Sequence, residues 1–447
     1  MNPPTTTSLA TPPLWLRLLR NLITLVLCLA VTLLMLFALA GWDQSLFSSI
    51  KAEDSIGKTL PLLTGIFFLI LPSGLCLLAS RRRWLTWRVL AAGWAFVLPT
   101  MVWLAWDDPV LRHPLPSAES APVSPCTEQS YALLMRYSKQ QPSAEARALD
   151  KVKWVVPTPG LATFMGTDKR FAFVAQNRAG LEADWATLKP ERLWLDELNA
   201  FDRIGDLTPW RTDANIMTFT VWRTLSQRAC GIALLQALDG HGDEAISTLL
   251  PILEISRKLQ PSSRYLVRSM IAVVMERISL ETAGLVLDRA SVSPATRARL
   301  TAALSGGNAP ELARHLILTE YPFFLAKLQT MKFGDATAGP DTDFRPFRQP
   351  LNFLGRLLVN PNTTANLHGD FLHAMADLAG ARQLDQLSVL NKEFANNPPR
   401  KSGMKNVGGW LMLMMVIPDY SGVIKNYWKM VDLREALLKR LATTPAS

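Results

Sequence analysis

At 447 residues the chain exceeds one ordinary domain, and 49% of it is apolar, with a mean hydropathy of +0.13 and 14 tryptophans. This composition excludes a disordered or fibrous chain and points to membrane segments. The net charge of +10 falls partly on an acid-poor amino-terminal region and partly on a long remainder with interspersed signs. It is therefore not the concentrated basic face of a nucleic-acid-binding protein.

Residues 22–40, 60–79 and 89–106 are three runs without a single charge. About 20 apolar residues suffice to cross a ~30 Å hydrocarbon core, so each run is expected to be a transmembrane helix, the second kinked near Pro72 and Gly74. Trp15, Trp42, Trp84, Trp87, Trp103 and Trp106 fall at or near the ends of these runs, where indole rings favour the headgroup level. Ala38-Leu39-Ala40 resembles a signal cleavage site, but the apolar run is too long for a signal peptide and reads as an uncleaved span.

Basic residues set the expected orientation. Arg17 and Arg20 precede the first span, and Arg81, Arg82, Arg83 and Arg88 lie between the second and third. The other side receives Lys51, Lys58 and Arg112. Lys and Arg concentrate on the cytoplasmic face, which puts the amino terminus inside and the large carboxy-terminal part outside. In the first loop, AEDSIGKT (52–59) matches the loose phosphate-loop pattern. It lacks a preceding strand and a glycine-rich cradle, carries Glu53 and Asp54, and faces away from cytoplasmic nucleotide. It reads as a polar loop, and no nucleotide is expected as a partner.

Residues 107–125 hold five prolines (Pro109, Pro114, Pro116, Pro122 and Pro125) and read as a stiff tether. Beyond it, apolar residues recur at three- and four-residue steps over 213–239, 242–260 and 262–288. Further helices are expected at 294–305, 309–331, 362–395 and 419–442. Asp213, Ser262, Ser293-Pro294 and Pro310 serve as start signals. Breaks rich in Gly, Pro and Asn fall at 155–168, 332–350 and 396–409. The expected organisation is a membrane domain over 1–106, a linker over 107–125, a helical domain over 126–331, and a helical lobe over 332–447 that either stands alone or joins the preceding domain. The fold class is all-α.

The stretch ACGIALLQALDGHGDEAISTLLPILEISRKL (229–259) resembles a tetratricopeptide-type helical hairpin, with Gly240 at the turn and Ala245 and Leu249 on the second helix. It departs from that family at Gln236, where an aromatic is usual, and at Arg257, where a proline is usual. No further copies follow at the ~34-residue period. The resemblance implies packed helical hairpins and a surface for protein binding.

Few residues suggest chemistry. Cys28 and Cys76 lie within spans, whereas Cys126 and Cys230 fall in the extracytoplasmic part, where they either form a disulfide or remain unrelated thiols, one of them buried. Asp370, His373 and Asp377 share one helix face next to His368. His368 and His373 are set apart by five positions, so the face reads as solvated or salt-bridged rather than as a metal site. Glu320, among apolar neighbours just before Pro322, is either a carboxylate of raised pKa or a structural cap. The apolar stretch 407–418, preceded by Arg400, Lys401 and Lys405, is too short for a fourth crossing. It reads as a core helix or as a segment dipping into the membrane interface.

No nucleophile elbow, HExxH, CxxC or dinucleotide fingerprint occurs in the sequence, so no catalytic residue, cofactor or metal is assigned. The layout resembles helical, membrane-anchored proteins of bacterial envelopes. It implies an inner-membrane interaction or scaffold subunit that presents a periplasmic helical domain to protein partners. The alternatives are an envelope enzyme acting on glycan, lipid or peptide, and a small-molecule sensor or transport accessory.

Overall fold

A computed structural model describes residues 107–114, 124–139, 167–210, 220–330, 359–396 and 418–443, with single positions at 14, 15, 19, 22, 26, 406, 409 and 413. The three apolar runs lie outside the described residues except for Leu22 and Val26, and the 52–59 loop lies wholly outside them. Among the described residues there is no strand, and no helix is long and apolar enough to cross a membrane.

The chain divides into two compact units that do not follow chain order. One comprises residues 1–111, 331–364 and 398–416, and the other 112–330, 365–397 and 417–447. Residues 365–397 and 417–447, from the helical lobe expected either to stand alone or to join the preceding domain, belong to the same unit as residues 112–330.

The helices are α1 (Pro125–Lys139), α2 (Thr167–Gln176), α3 (Arg178–Thr187), α4 (Lys189–Asn199), α5 (Thr220–Leu238), α6 (Gly242–Leu259), α7 (Leu266–Arg289), α8 (Pro294–Leu304), α9 (Ala309–Leu318), α10 (Glu320–Thr330), α11 (Pro361–Gly380), α12 (Leu384–Asn396) and α13 (Tyr420–Thr443). In the larger unit α5, α6 and α7 pack on one another as the centre. Ala229, Ala233, Ala245, Ala272 and Ala283 are fully buried there. These small side chains let the helices approach while Leu225, Ile246, Leu249 and Leu253 fill the space between them. Helix α7 is buried on more than one face, because α13 packs on it in addition to α5 and α6. On the far side of the centre, α2, α3 and α4 pack on α5, and α1 packs on α4.

Local chemistry explains the joints. The α5–α6 turn is a Schellman motif: His241 N–H donates to Gln236 O at 2.8 Å, Gly240 N–H donates to Ala237 O at 3.2 Å, and Gly240 sits at φ +80°. Gly242 starts α6 so close to the following α7–α8 turn that a Cβ there would run into the Ser291 carbonyl. The α11–α12 turn has the same pattern but places Arg382 at φ 58°. Its side chain offsets that strain by reaching Asp432 at 2.6 Å and lying 4.9 Å from the centre of the Trp428 ring, both on α13.

Ser293 and Asn308 cap α8 and α9 through their side chains. Ser262 does not cap α7, which begins at Leu266 after an extended Tyr265. The helix expected over 309–331 is broken at Thr319, which leaves Pro322 in the first turn of α10, where its missing N–H costs little.

In the smaller unit, the Asp107 carboxylate accepts bonds from the Asn362 and Thr363 amides, both at 2.8 Å, and so caps α11. Asn406 accepts from Asn360 N at 2.8 Å and from Thr364 Oγ1 at 2.9 Å. Within 407–418 the described Gly409 and Leu413 are helical and buried. Leu14, Trp15, Leu19, Leu22 and Val26 are helical with exposed side chains.

Candidate binding cleft

The α3–α4 corner and the α5–α6 hairpin enclose an open cleft of about 560 Å³. Leu188 ends α3 and begins α4 within one residue, and Pro190 fits the first turn of α4 because the first amides of a helix need no helical partner. Lys189, Arg192, Leu193 and Asp196 then fall at i, i+3, i+4 and i+7, so one face of α4 lines the cleft while Glu191, Leu195 and Leu198 are buried. The same spacing recurs on α6, where Glu244, Ser247, Thr248 and Pro251 face the cleft and Ala245, Ile246, Leu249 and Leu253 face the core.

Trp185 forms an aromatic wall, with the Arg192 guanidinium 4.4 Å above its ring. Arg192 Nε is buried and has no hydrogen-bond partner. Lys189, Arg192 and Asp196 have no ion-pair partner among the described residues. Glu244 has only the exposed His241 ring at 3.7 Å, a pair that is charged only when that ring is protonated. On the α5 side, Gln236 Oε1 lies 2.9 Å from Thr248 Oγ1. Pro251 lies inside α6 and has no N–H to offer the carbonyl four residues earlier, so the Ser247 carbonyl lacks its helical donor. The cleft therefore combines an aromatic and apolar floor with unpaired charges of both signs.

None of the candidate site residues Cys126, Cys230, Glu320, Asp370, His373 and Asp377 lines this cleft. Glu320 is half-buried, and its Oε1 accepts from the Leu266 amide at 3.2 Å, capping α7 from α10. Burial raises its pKa, and the Leu266 bond partly opposes that. Asp370 receives Arg112 and His113, with the His113 Nε2 contact at 3.0 Å. The His113 ring stacks on His373 with centroids 4.1 Å apart. Asp377 pairs with Arg314 at 3.0 Å. This face is thus salt-bridged, and the part of the expected tether at Arg112 and His113 is held on α11 rather than extended freely. Among the described residues, no three of His, Cys, Asp and Glu converge to hold a metal ion.

His368 is buried between Phe324 and Tyr321, its Nδ1 has no partner, and burial pushes its pKa down to about 3. Cys126 and Cys230 are both free, so the disulfide weighed from the sequence is not formed. Cys126 sits near the start of α1 against the Arg203 carbonyl. Cys230 is enclosed beside the Ile278 carbonyl of α7, with its pKa pushed up to about 11 by burial.

Three buried ion pairs fasten the scaffold around the cleft. Asp184 meets Arg228 at 3.0 Å, and Asp206 meets Arg268 at 2.8 Å. Glu276 lies 3.5 Å from Arg434 and accepts from Gln260 at 2.6 Å. The α4 helix was not among those expected from the sequence, although the 3–4 spacing in KPERLWLDELN is the signal that would have found its face. The chain matches no protein-family model, curated protein or solved structure.

Proposed function

We propose that this chain is a membrane-anchored interaction subunit of a bacterial envelope, whose helical domain lies on the periplasmic side and holds a segment of a partner protein in the α3–α6 cleft. The observation that carries the reading is the cleft itself. An aromatic and apolar floor rimmed by unpaired polar groups suits an extended polypeptide, which has both main-chain and side-chain demands. Anchoring is supported by the three uncharged runs at 22–40, 60–79 and 89–106. The exposed apolar side chains of Trp15, Leu19, Leu22 and Val26, at helical three- and four-residue spacing, point the same way. The distribution of arginines supports the orientation.

Two measurements test the proposal. Protease added to spheroplasts is expected to cut the carboxy-terminal domain, and protection until lysis would place it on the cytoplasmic side. A photo-crosslinking amino acid at Leu193, which is 54% exposed in the cleft, is expected to give a discrete protein adduct in intact membranes. The same group at Val389 on α12, equally exposed and not part of the cleft lining, is the control. Equal labelling at both positions, or none at Leu193, would remove the cleft as the interaction site.

A further inference from the structure

We infer that the cleft selects a partner segment bearing charges of both signs, with an acidic side chain set against Lys189 and Arg192 and a basic side chain set against Asp196 and Glu244. This rests on the interaction role proposed above and specifies its partner. Lys189 and Arg192 are the cations of the cleft and Asp196 and Glu244 its anions, yet no two of these opposite charges lie within ion-pair distance of each other. Two positive and two negative groups thus share one concavity without neutralising one another. A ligand of a single sign would satisfy half of them and be repelled by the rest, whereas a segment of both signs satisfies all four.

Arg192 is preorganised for this role. Its stacking on Trp185 holds the planar guanidinium in place, so little side-chain freedom is lost when a carboxylate docks. Leu195, Pro251 and Ile252 supply the apolar floor between the charged ends. Phosphate-bearing ligands such as nucleotides or lipid headgroups are disfavoured by Asp196 and Glu244.

The test uses the full chain in its membrane, with the photo-crosslinker at Leu193 and the adduct digested and sequenced by mass spectrometry. The crosslinked segment is expected to contain Asp or Glu together with Lys or Arg. The adduct should fall about ten-fold when Lys189→Glu and Arg192→Glu are combined, and by a similar factor for Glu244→Lys on the opposite wall, while Arg192→Lys, which keeps the charge but gives up the planar stack on Trp185, should lower it by less. Raising salt to about 0.5 M should weaken it as well, since rim charges are screened. Glu244 is two-thirds exposed, so Glu244→Lys reports on the charge even where the double variant misfolds. An uncharged crosslinked segment, or an adduct indifferent to salt and to all the charge reversals, overturns the two-sign partner but leaves the interaction role standing. Absence of any adduct at Leu193 overturns both.

Discussion

Replacing His368 by leucine should flatten the acid limb of the stability curve. In the folded chain the ring is enclosed, packed at 4.1 Å on Phe324, and its pKa is about 3. In the unfolded chain the value is about 6.5. The folded state therefore binds fewer protons than the unfolded state throughout that interval. A depressed folded pKa of this kind gives stability that is complete above about pH 6.5 and is lost as pH falls towards 3. The loss attributable to His368 is about 2 kcal/mol at pH 5 and about 4 kcal/mol at pH 3, from about 1.4 kcal/mol per unit.

Leucine has a similar volume and removes the unpartnered Nδ1, so His368→Leu should lie within about 1.5 kcal/mol of the parent at pH 7.5. Urea unfolding of the full chain in mild detergent, followed by helical circular dichroism at pH 7.5 and 5, gives both numbers. Burial also depresses His315 and His373, so some slope persists in the variant, and the difference between the two proteins isolates His368. Equal losses in parent and variant between these pH values would refute the reasoning.

Other substitutions probe the scaffold and the site. Asp206→Ala leaves the Arg268 guanidinium, only 4% exposed, without its counter-charge and should cost about 3–5 kcal/mol in the same urea assay. Gly240→Ala meets open space and bears only the strain of φ +80°, about 1–2 kcal/mol. Gly242→Ala should cost more, because its Cβ is driven into the Ser291 carbonyl. Pro251→Ala should stabilise by about 1–3 kcal/mol by completing the α6 ladder. In native protein a maleimide should modify Cys126 and leave Cys230 untouched, and oxidation should give no mobility shift of a Cys126–Cys230 bridge on a non-reducing gel. Protection of Cys126 by oxidation alone would contradict the free thiols.

The amino-acid sequence by itself determined where most helices of the central and carboxy-terminal parts lie. The signals were local: the 3–4 apolar spacing of α5, α6 and α7, the Ser293 cap, Gly240 at a Schellman turn, and Pro322 next to a helix break. The helices α1, α2, α3 and α4 were not among those expected from the sequence, because they are short and joints such as Leu188 carry neither glycine nor an ordinary cap. The all-α class followed from periodicity, and the gap in the α6 ladder at Ser247 follows from the covalent structure of proline alone.

What only the tertiary structure decided was which of these local features meet. Glu320 became the cap of α7, 54 positions earlier in the chain, because α10 docks at that helix start. The Asp370 and His373 face was closed by Arg112 and His113, from more than 250 positions away. Cys126 and Cys230 stayed apart because one lies at a helix start and the other inside the α5–α7 contact. The cleft exists because the polar stripes of α4 and α6, separated by a full helix in sequence, flank the same concavity. Hydrogen-bonding patterns and side-chain periodicity are properties of neighbouring residues and can be read along a chain. Burial, charge pairing and concavity depend on which surfaces exclude water together, and that is settled only when the helices pack.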